Sequence, residues 1–363
     1  MSKLRIMECF GGIGACSKAL ERLGIDYEIA DYVEIDKYAV KSFNAIHGTN
    51  FEPQDICKWD KDIEVDLIMQ GSPCQDFSLA GKQAGGDKDS GTRSSLMYET
   101  IRIVEKLKPK YVIWENVKNL LSKKHRHNFD AYLETMESLG YINYYQVLNA
   151  KDYGIPQNRE RVFTVSILKD VFVYDLPDNY KFKFPPKQEL KLKLKDMLED
   201  EVDERYYLSN KMVEYISANN EKWTGNNDKS IINKSVASAI NTGEGSRRCD
   251  ASNYISNQVE ENFNLKGSSY LRDFGSKGKI QNKEYCDTLT ASMGTGGGNV
   301  PIFQNNLRIR KLTPREVWRL MGFDDEDFEK ASKVNSNTQL YKQAGNSIVV
   351  NVLEAILNNL LLY

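Results

Sequence analysis

The sequence has no C-x-x-C pair and no ladder of closely spaced cysteines. Its six stand apart, as Cys9, Cys16, Cys57, Cys74, Cys249 and Cys286. That spacing argues against a zinc site or a disulfide framework, and it points to a reducing compartment and a cytoplasmic protein that needs no metal. No run approaches the roughly 18 apolar residues of a membrane span. Residues 1–6 enter a strand pattern at once, so no signal peptide is expected. There is no internal repeat. Net charge is only −2, so a uniformly basic surface is missing too. What remains is ordinary soluble composition over 363 residues, enough chain for two domains.

Charge is unevenly spread. Residues 264–315 carry a net +6, which leaves −8 for the rest of the chain. A basic, glycine-containing segment on an acidic body suits a polyanion groove, although a solvated loop would have the same composition.

The chemistry centres on Gly71-Ser72-Pro73-Cys74-Gln75-Asp76-Phe77-Ser78. Residues 65–69 read as a short buried strand, and the turn after it lifts Cys74 to the carboxyl edge of a parallel sheet, where ligands bind. A single cysteine is more often a small buried hydrophobe. The prolyl turn and the polar Gln75, Asp76 and Ser78 favour a nucleophile instead.

Upstream, residues 4–10 form a strand that runs into Gly11-Gly12-Ile13-Gly14 and a helix over 15–23. Glycines allow close backbone approach, and the helix start offers unpaired N–H groups. Glu34, at the tip of the next strand, is placed to accept both hydroxyls of a ribose. Ser17 stands where the dinucleotide fingerprint has its third glycine, which favours S-adenosylmethionine over NAD. Asp55 and Ile56 follow a third short segment and can meet an adenine edge or cap a loop.

After Cys74, the 81–92 loop is glycine-rich and nearly free of apolar side chains, which reads as a lid or a plain connector. Residues 110–114 form a buried strand that ends in Glu115-Asn116-Val117, so Glu115 shares the sheet edge with Cys74. Half-enclosed by Trp114 and Val117, it can carry a proton or merely cap a helix. Arg159 and Arg161, two apart at a strand start, are expected to point the same way and present fixed donors to a base or phosphate. Composition shifts near residue 174, and 219–298 is rich in Asn, Ser, Gly and Lys. A basic strand then leads to Thr313 as a helix cap and Pro314 at the first helical position. Gln343-Ala344-Gly345-Asn346-Ser347 precedes an apolar helix over 348–362.

These motifs, in this order, resemble the C5-cytosine DNA methyltransferase family of bacterial or phage type over nearly the whole chain. Phe10-x-Gly12-x-Gly14 is similar to its cofactor turn and Pro73-Cys74-Gln75 to its nucleophile motif. Glu115-Asn116-Val117 is similar to its catalytic carboxylate, and Gln157-x-Arg159-x-Arg161 to its arginines. The Arg310-Lys311-Leu312-Thr313-Pro314-Arg315-Glu316 block and Gly345-Asn346-Ser347 complete the set.

The resemblance implies an α/β fold: a Rossmann-like S-adenosylmethionine-dependent methyltransferase sheet with helices on both faces, plus a smaller loop-rich, mainly β target-recognition domain. The catalytic domain would be 1–180 with 335–363, and recognition domain and hinge 181–334. Cys74 would add to C6 of a flipped cytosine, Glu115 would bond the exocyclic amine and N3, and Arg161 would hold O2 with support from Arg159. S-adenosylmethionine would meet Phe10, Gly12, Ile13, Gly14, Glu34, Ile35, Asp55, Ile56, Pro73, Leu96, Asn346, Ser347 and Ile348. Gln75, Ser78, Thr288, Leu289 and Arg310 would contact DNA. The implied protein is a monomer acting on double-stranded DNA, away from membranes, with a cognate restriction endonuclease as the partner such systems can have. Competing readings are a tRNA cytosine methyltransferase, whose Cys-Phe-Thr element is absent here, a catalytically silent DNA-binding regulator, and a Rossmann oxidoreductase.

Overall fold

The computed structural model describes residues 3–73, 93–174, 181–207, 252–254, 269–271, 286–287, 302–305 and 308–362. Cys74, Gln75, Ser78, the 81–92 loop, Thr288 and Leu289 lie outside them. The chain divides into two compact units. One comprises Met1–Leu148, Glu160–Pro186 and Val350–Tyr363, the other Asn149–Arg159 and Lys187–Val349. The chain leaves the first unit at 149, returns at 160 and leaves it again at 187. It comes back at 350, and 149–159 joins the second unit because its side chains bond residues 320–347 there.

The first unit runs β1 (Leu4–Cys9), α1 (Ala15–Arg22), β2 (Tyr27–Val33), α2 (Lys37–His47), β3 (Leu67–Gln70), α3 (Met97–Leu107), β4 (Tyr111–Val117), α4 (Arg126–Ser138) and β5 (Tyr141–Asn149). After β6 (Gln157–Asn158), which belongs to the second unit, it resumes with β7 (Glu160–Leu168) and α5 (Lys169–Tyr174). The second unit continues with short strands β8 (Ser252–Tyr254), β9 (Ser269–Leu271), β10 (Cys286–Asp287), β11 (Ile302–Asn305) and β12 (Arg308–Lys311), then α6 (Pro314–Arg319), α7 (Asp325–Ser332) and α8 (Asn337–Asn346). Helix α9 (Val350–Leu361) returns to the first unit.

Six strands form one mixed sheet in the order β2-β1-β3-β4-β7-β5. β2, β1, β3 and β4 run parallel, and β7 is antiparallel to β4. β3 is buried along its whole length, the pattern of a strand covered on both faces. Met7, Cys9, Ile68, Val112 and Trp114 share one apolar cluster with Met97, Ile101 and Val104 of α3 and Phe129, Tyr132 and Met136 of α4. Strand alternation turns Glu8 the other way, where it meets Ser17 of α1. Helix α1 packs against α9, and Arg22 reaches Asn351 (3.3 Å) and Glu354 (3.8 Å). β2 and β3 flank β1, so the strand order reverses there and a crevice opens at its carboxyl end.

In the second unit, β6 pairs in parallel with β10, while β11–β12 and β8–β9 are antiparallel ribbons. Helix α6 starts as its sequence dictates. Pro314 stands in the first turn, and Thr313 and Glu316 form a reciprocal capping box. The apolar stretch Asn337–Leu361 is long enough by composition to cross a membrane. It is two helices, parted at Ser347, whose backbone is extended, and more than half of its most apolar window is buried.

Candidate active site

The crevice at β1 is floored by the glycine turn. Phe10 enters it with φ of 55°, a left-handed conformation that costs a non-glycine residue energy and signals a backbone shaped for a purpose. Its amide donates to Val33 O at 2.7 Å. Tyr32 Oη donates to Gly12 O at 2.6 Å, and His47 Nε2 lies 3.3 Å from Ile13 O. Gly14 has φ of 83°, and a methyl group there would fall 2.2 Å from His47 Nε2. Gly12 differs: with φ of 56°, a methyl group on it would meet nothing within 4 Å. Its open side faces space, as a ligand floor requires.

Glu34 closes this end of the crevice. Oε2 accepts the Gly12 amide at 3.2 Å and Oε1 the Asp36 amide at 2.9 Å. Burial raises the carboxyl's pKa, and those two amides pull against the shift. Ile35 beside it is 69% exposed, an apolar surface next to a polar anchor. Asp55 caps a short 3-10 turn by accepting the Cys57 amide at 3.0 Å, and Ile56 is buried beneath. Ile13 is buried as well, Leu96 packs on the α3–α4 cluster, and Pro73 is half-buried at the exit of β3.

The exits of β3 and β4 are fastened together. Trp114 Nε1 donates to Ser72 Oγ at 2.9 Å, and Asn116 Nδ2 lies 3.3 Å from both Ser72 O and Ser72 Oγ. Both side chains are buried, and Trp114 is wedged against Phe129 and Tyr132. Glu115, between them, faces the opposite side. There Arg161 Nε stands 3.0 Å from its Oε1, yet off line for a hydrogen bond. Among the described residues, that buried oxygen accepts no hydrogen bond. A buried carboxylate oxygen is rarely left so, and a ligand donor is the usual explanation.

Two sequence expectations change. Arg159 and Arg161 do not share a partner, and the strand breaks between β6 and β7 at Arg159, so alternation no longer links them. Arg159 is buried, and its guanidinium donates to Ser347 O (2.8 Å) and Gly345 O (3.3 Å). It thus grips the backbone on either side of Asn346, which is exposed at the end of α8. Ser347 is buried and Ile348 half-buried in the same turn. Arg310, expected to contact DNA, is buried. It is 5% exposed and forms a bidentate pair with Glu316, NH2–Oε1 2.7 Å and NH1–Oε2 2.9 Å. That carboxylate also accepts the Thr313 and Glu199 amides, so the basic block is a structural hub here. Tyr32, His47 and Ser72 were not foreseen. Each acts on a residue distant in sequence, and nothing local marks it.

The sequence profile of C-5 cytosine-specific DNA methylases matches residues 4–361. The chain belongs to this family. As a C-5 cytosine-specific DNA methylase, it carries the activity of a DNA (cytosine-5-)-methyltransferase. It is 36% identical to the type II methyltransferase M2.ScrFI of Lactococcus lactis subsp. cremoris, over 98% of this chain and 99% of that one. It is 33% identical to the orphan methyltransferase M.SPRI of Bacillus phage SPR, over 99% and 98%. The fold is that of a solved Spodoptera frugiperda DNMT2 variant, with a TM-score of 0.66 at 19% identity, covering 99% of each chain.

Proposed function

We propose that this methylase transfers a methyl group from S-adenosylmethionine to C5 of a cytosine flipped out of a specific double-stranded DNA site. It would serve as the modification half of a type II system or as an orphan phage enzyme. The observation that carries the site assignment is Glu115 Oε1, buried without a hydrogen bond among the described residues, beside the fastened strand exit that precedes Cys74 in sequence.

The crevice residues fit the cofactor. Gly12 leaves its floor open, Glu34 offers a carboxylate for the ribose, and Ile35, Asp55 and Ile56 supply apolar and polar edges for the purine. When bound, S-adenosylmethionine supplies an electrophilic methyl group. The chain's own residues make the cytosine ready for it. The Cys74 thiolate adds to C6 while Glu115 bonds N3 and the exocyclic amine, which places electron density on C5. Arg161, held at Glu115, steadies O2. Loss of the C5 proton with expulsion of Cys74 restores the aromatic ring. Arg159 acts one step back, positioning Asn346.

The sheet, with helices on both faces, is the catalytic domain in this reading, and a mainly β domain in the 181–334 region reads the bases. Its strand β10 runs directly into Thr288-Leu289. The protein works as a cytoplasmic monomer on DNA, and a cognate endonuclease, where present, would share its site.

Tritiated methyl incorporation into duplex DNA tests the reading. Wild type should label DNA and not tRNA, while Cys74→Ser should bind cofactor and transfer nothing. A 5-fluorocytosine duplex should be trapped covalently, since fluorine cannot leave as a proton does. Unchanged labelling by Cys74→Ser removes the covalent route.

A further inference from the structure

The loop that carries Asp55 and Ile56 is strapped to β2 by one buried carboxylate. Asp31 is 1% exposed, yet sits on the edge strand of the sheet. The β1–β2 register slips by one residue, with Ile6 opposite Ile29 but Met7 opposite Asp31, so Ala30 has no partner. Such a bulge re-aims the side chain that follows it. Asp31 Oδ2 accepts Trp59 Nε1 at 2.6 Å, and Oδ1 accepts Gln54 Nε2 at 3.0 Å. Lys61 Nζ completes the ring at 2.9–3.0 Å. These three side-chain donors come from the single segment 54–61, and the Tyr32 amide also donates to Oδ1 at 2.9 Å. Gln54 also bonds the free edge of β2 directly, through Nε2 to Tyr32 O (2.6 Å) and its amide to Glu34 O (2.8 Å).

We infer that Asp31 is a positioning residue for cofactor recognition: its carboxylate fixes the 54–59 turn so that Asp55 meets the adenine amine while Glu34 takes the ribose. This rests on the cofactor reading above. The geometry favours it over a purely stabilising role for one reason. The strap does not lie along the whole strand but ends at Glu34, through Gln54, the residue immediately before Asp55. The capping bond from the Cys57 amide then sets the plane of the Asp55 carboxylate. Asp31 itself never touches the ligand. Charge-assisted bonds to a desolvated carboxylate are the stiffest means a chain has of holding a loop.

The test uses the whole protein and Asp31→Asn, which keeps the shape but turns one acceptor into a donor facing Gln54 or Trp59. Two probes are titrated calorimetrically: S-adenosylhomocysteine, and S-inosylhomocysteine, which has a carbonyl in place of the adenine amine. Wild type should bind the adenosyl compound roughly tenfold more tightly. Asp31→Asn should lose roughly tenfold for the adenosyl compound and little for the inosyl one, so its preference collapses towards unity. In turnover, KM for S-adenosylmethionine should rise while kcat and KM for DNA stay within about twofold. Lys61→Met keeps the Trp59 and Gln54 bonds and should retain the preference. Where Asp31→Asn does not fold, Trp59→Phe removes one strap and should lower the preference in the same direction. An Asp31→Asn enzyme that keeps the adenine preference, or loses kcat at unchanged KM, overturns the inference. A wild type that binds neither probe overturns the cofactor reading instead.

Discussion

Replacing Glu8 by glutamine should flatten the pH dependence of this protein's stability. Glu8 lies fully buried on β1, facing the first turn of α1, where it accepts the Ser17 amide at 3.0 Å and the Ser17 hydroxyl. Burial pushes its carboxyl up from 4.5 to about 7, against the pull of the Ser17 and Cys16 hydrogen bonds. The folded state therefore keeps a proton that the unfolded chain has released. The contribution is complete below about pH 4.5 and is lost as pH rises through about 7. At about 1.36 kcal/mol per pK unit, the loss between about pH 5 and about pH 8 is roughly 2–3 kcal/mol. Glutamine carries no proton to lose and can still accept the Ser17 amide. Urea denaturation of both proteins at the two pH values isolates the effect, because every other titrating group is common to both. Glu8→Gln should gain roughly 2–3 kcal/mol on wild type between the lower and the higher pH. A difference between the two proteins that does not change with pH would refute the reasoning.

Gly14→Ala should cost about 2 kcal/mol or more and weaken cofactor binding, because φ is 83° and the new methyl collides with His47 and Phe43; denaturation and calorimetry check it, and wild-type values reject it. Arg310→Met alone should destabilise by about 3–5 kcal/mol by leaving Glu316 buried and unpaired, and Arg310→Met with Glu316→Leu should recover most of that. The salt dependence of DNA affinity should not move in the double variant, and a change in its slope would return Arg310 to the DNA surface. Ser72→Ala should strip Trp114 Nε1 of its acceptor, at about 1–3 kcal/mol, and lower kcat while cofactor affinity holds. An unchanged kcat would separate the fastened exits from catalysis.

The strands and turns that frame the crevice were legible because each is written locally. β1, the glycine turn and Glu34 follow one another within a single α/β unit, and α6 carries its cap and proline in adjacent residues. Local charge and spacing told less about where side chains are held. Arg310 stands in a basic run, but Glu316, six residues on, draws it inwards. Arg159 and Arg161 look like one face of a strand until a break appears between them. Trp114 and Asn116 were visible as neighbours of Glu115, whereas their partner Ser72 lies 42–44 residues away, beyond what periodicity reports. Asp31 gave no sign at all, since a register slip between two strands leaves no mark in either.

Helix α9 packs on α1, although more than three hundred residues separate the two in sequence. The face of α1 that α9 covers therefore waits while those residues are translated. A chain cut just before that helix, after Ser347, holds every motif named above and still cannot shut its first unit. Release before that helix should thus yield an open first unit for proteases to clear, rather than a working methylase.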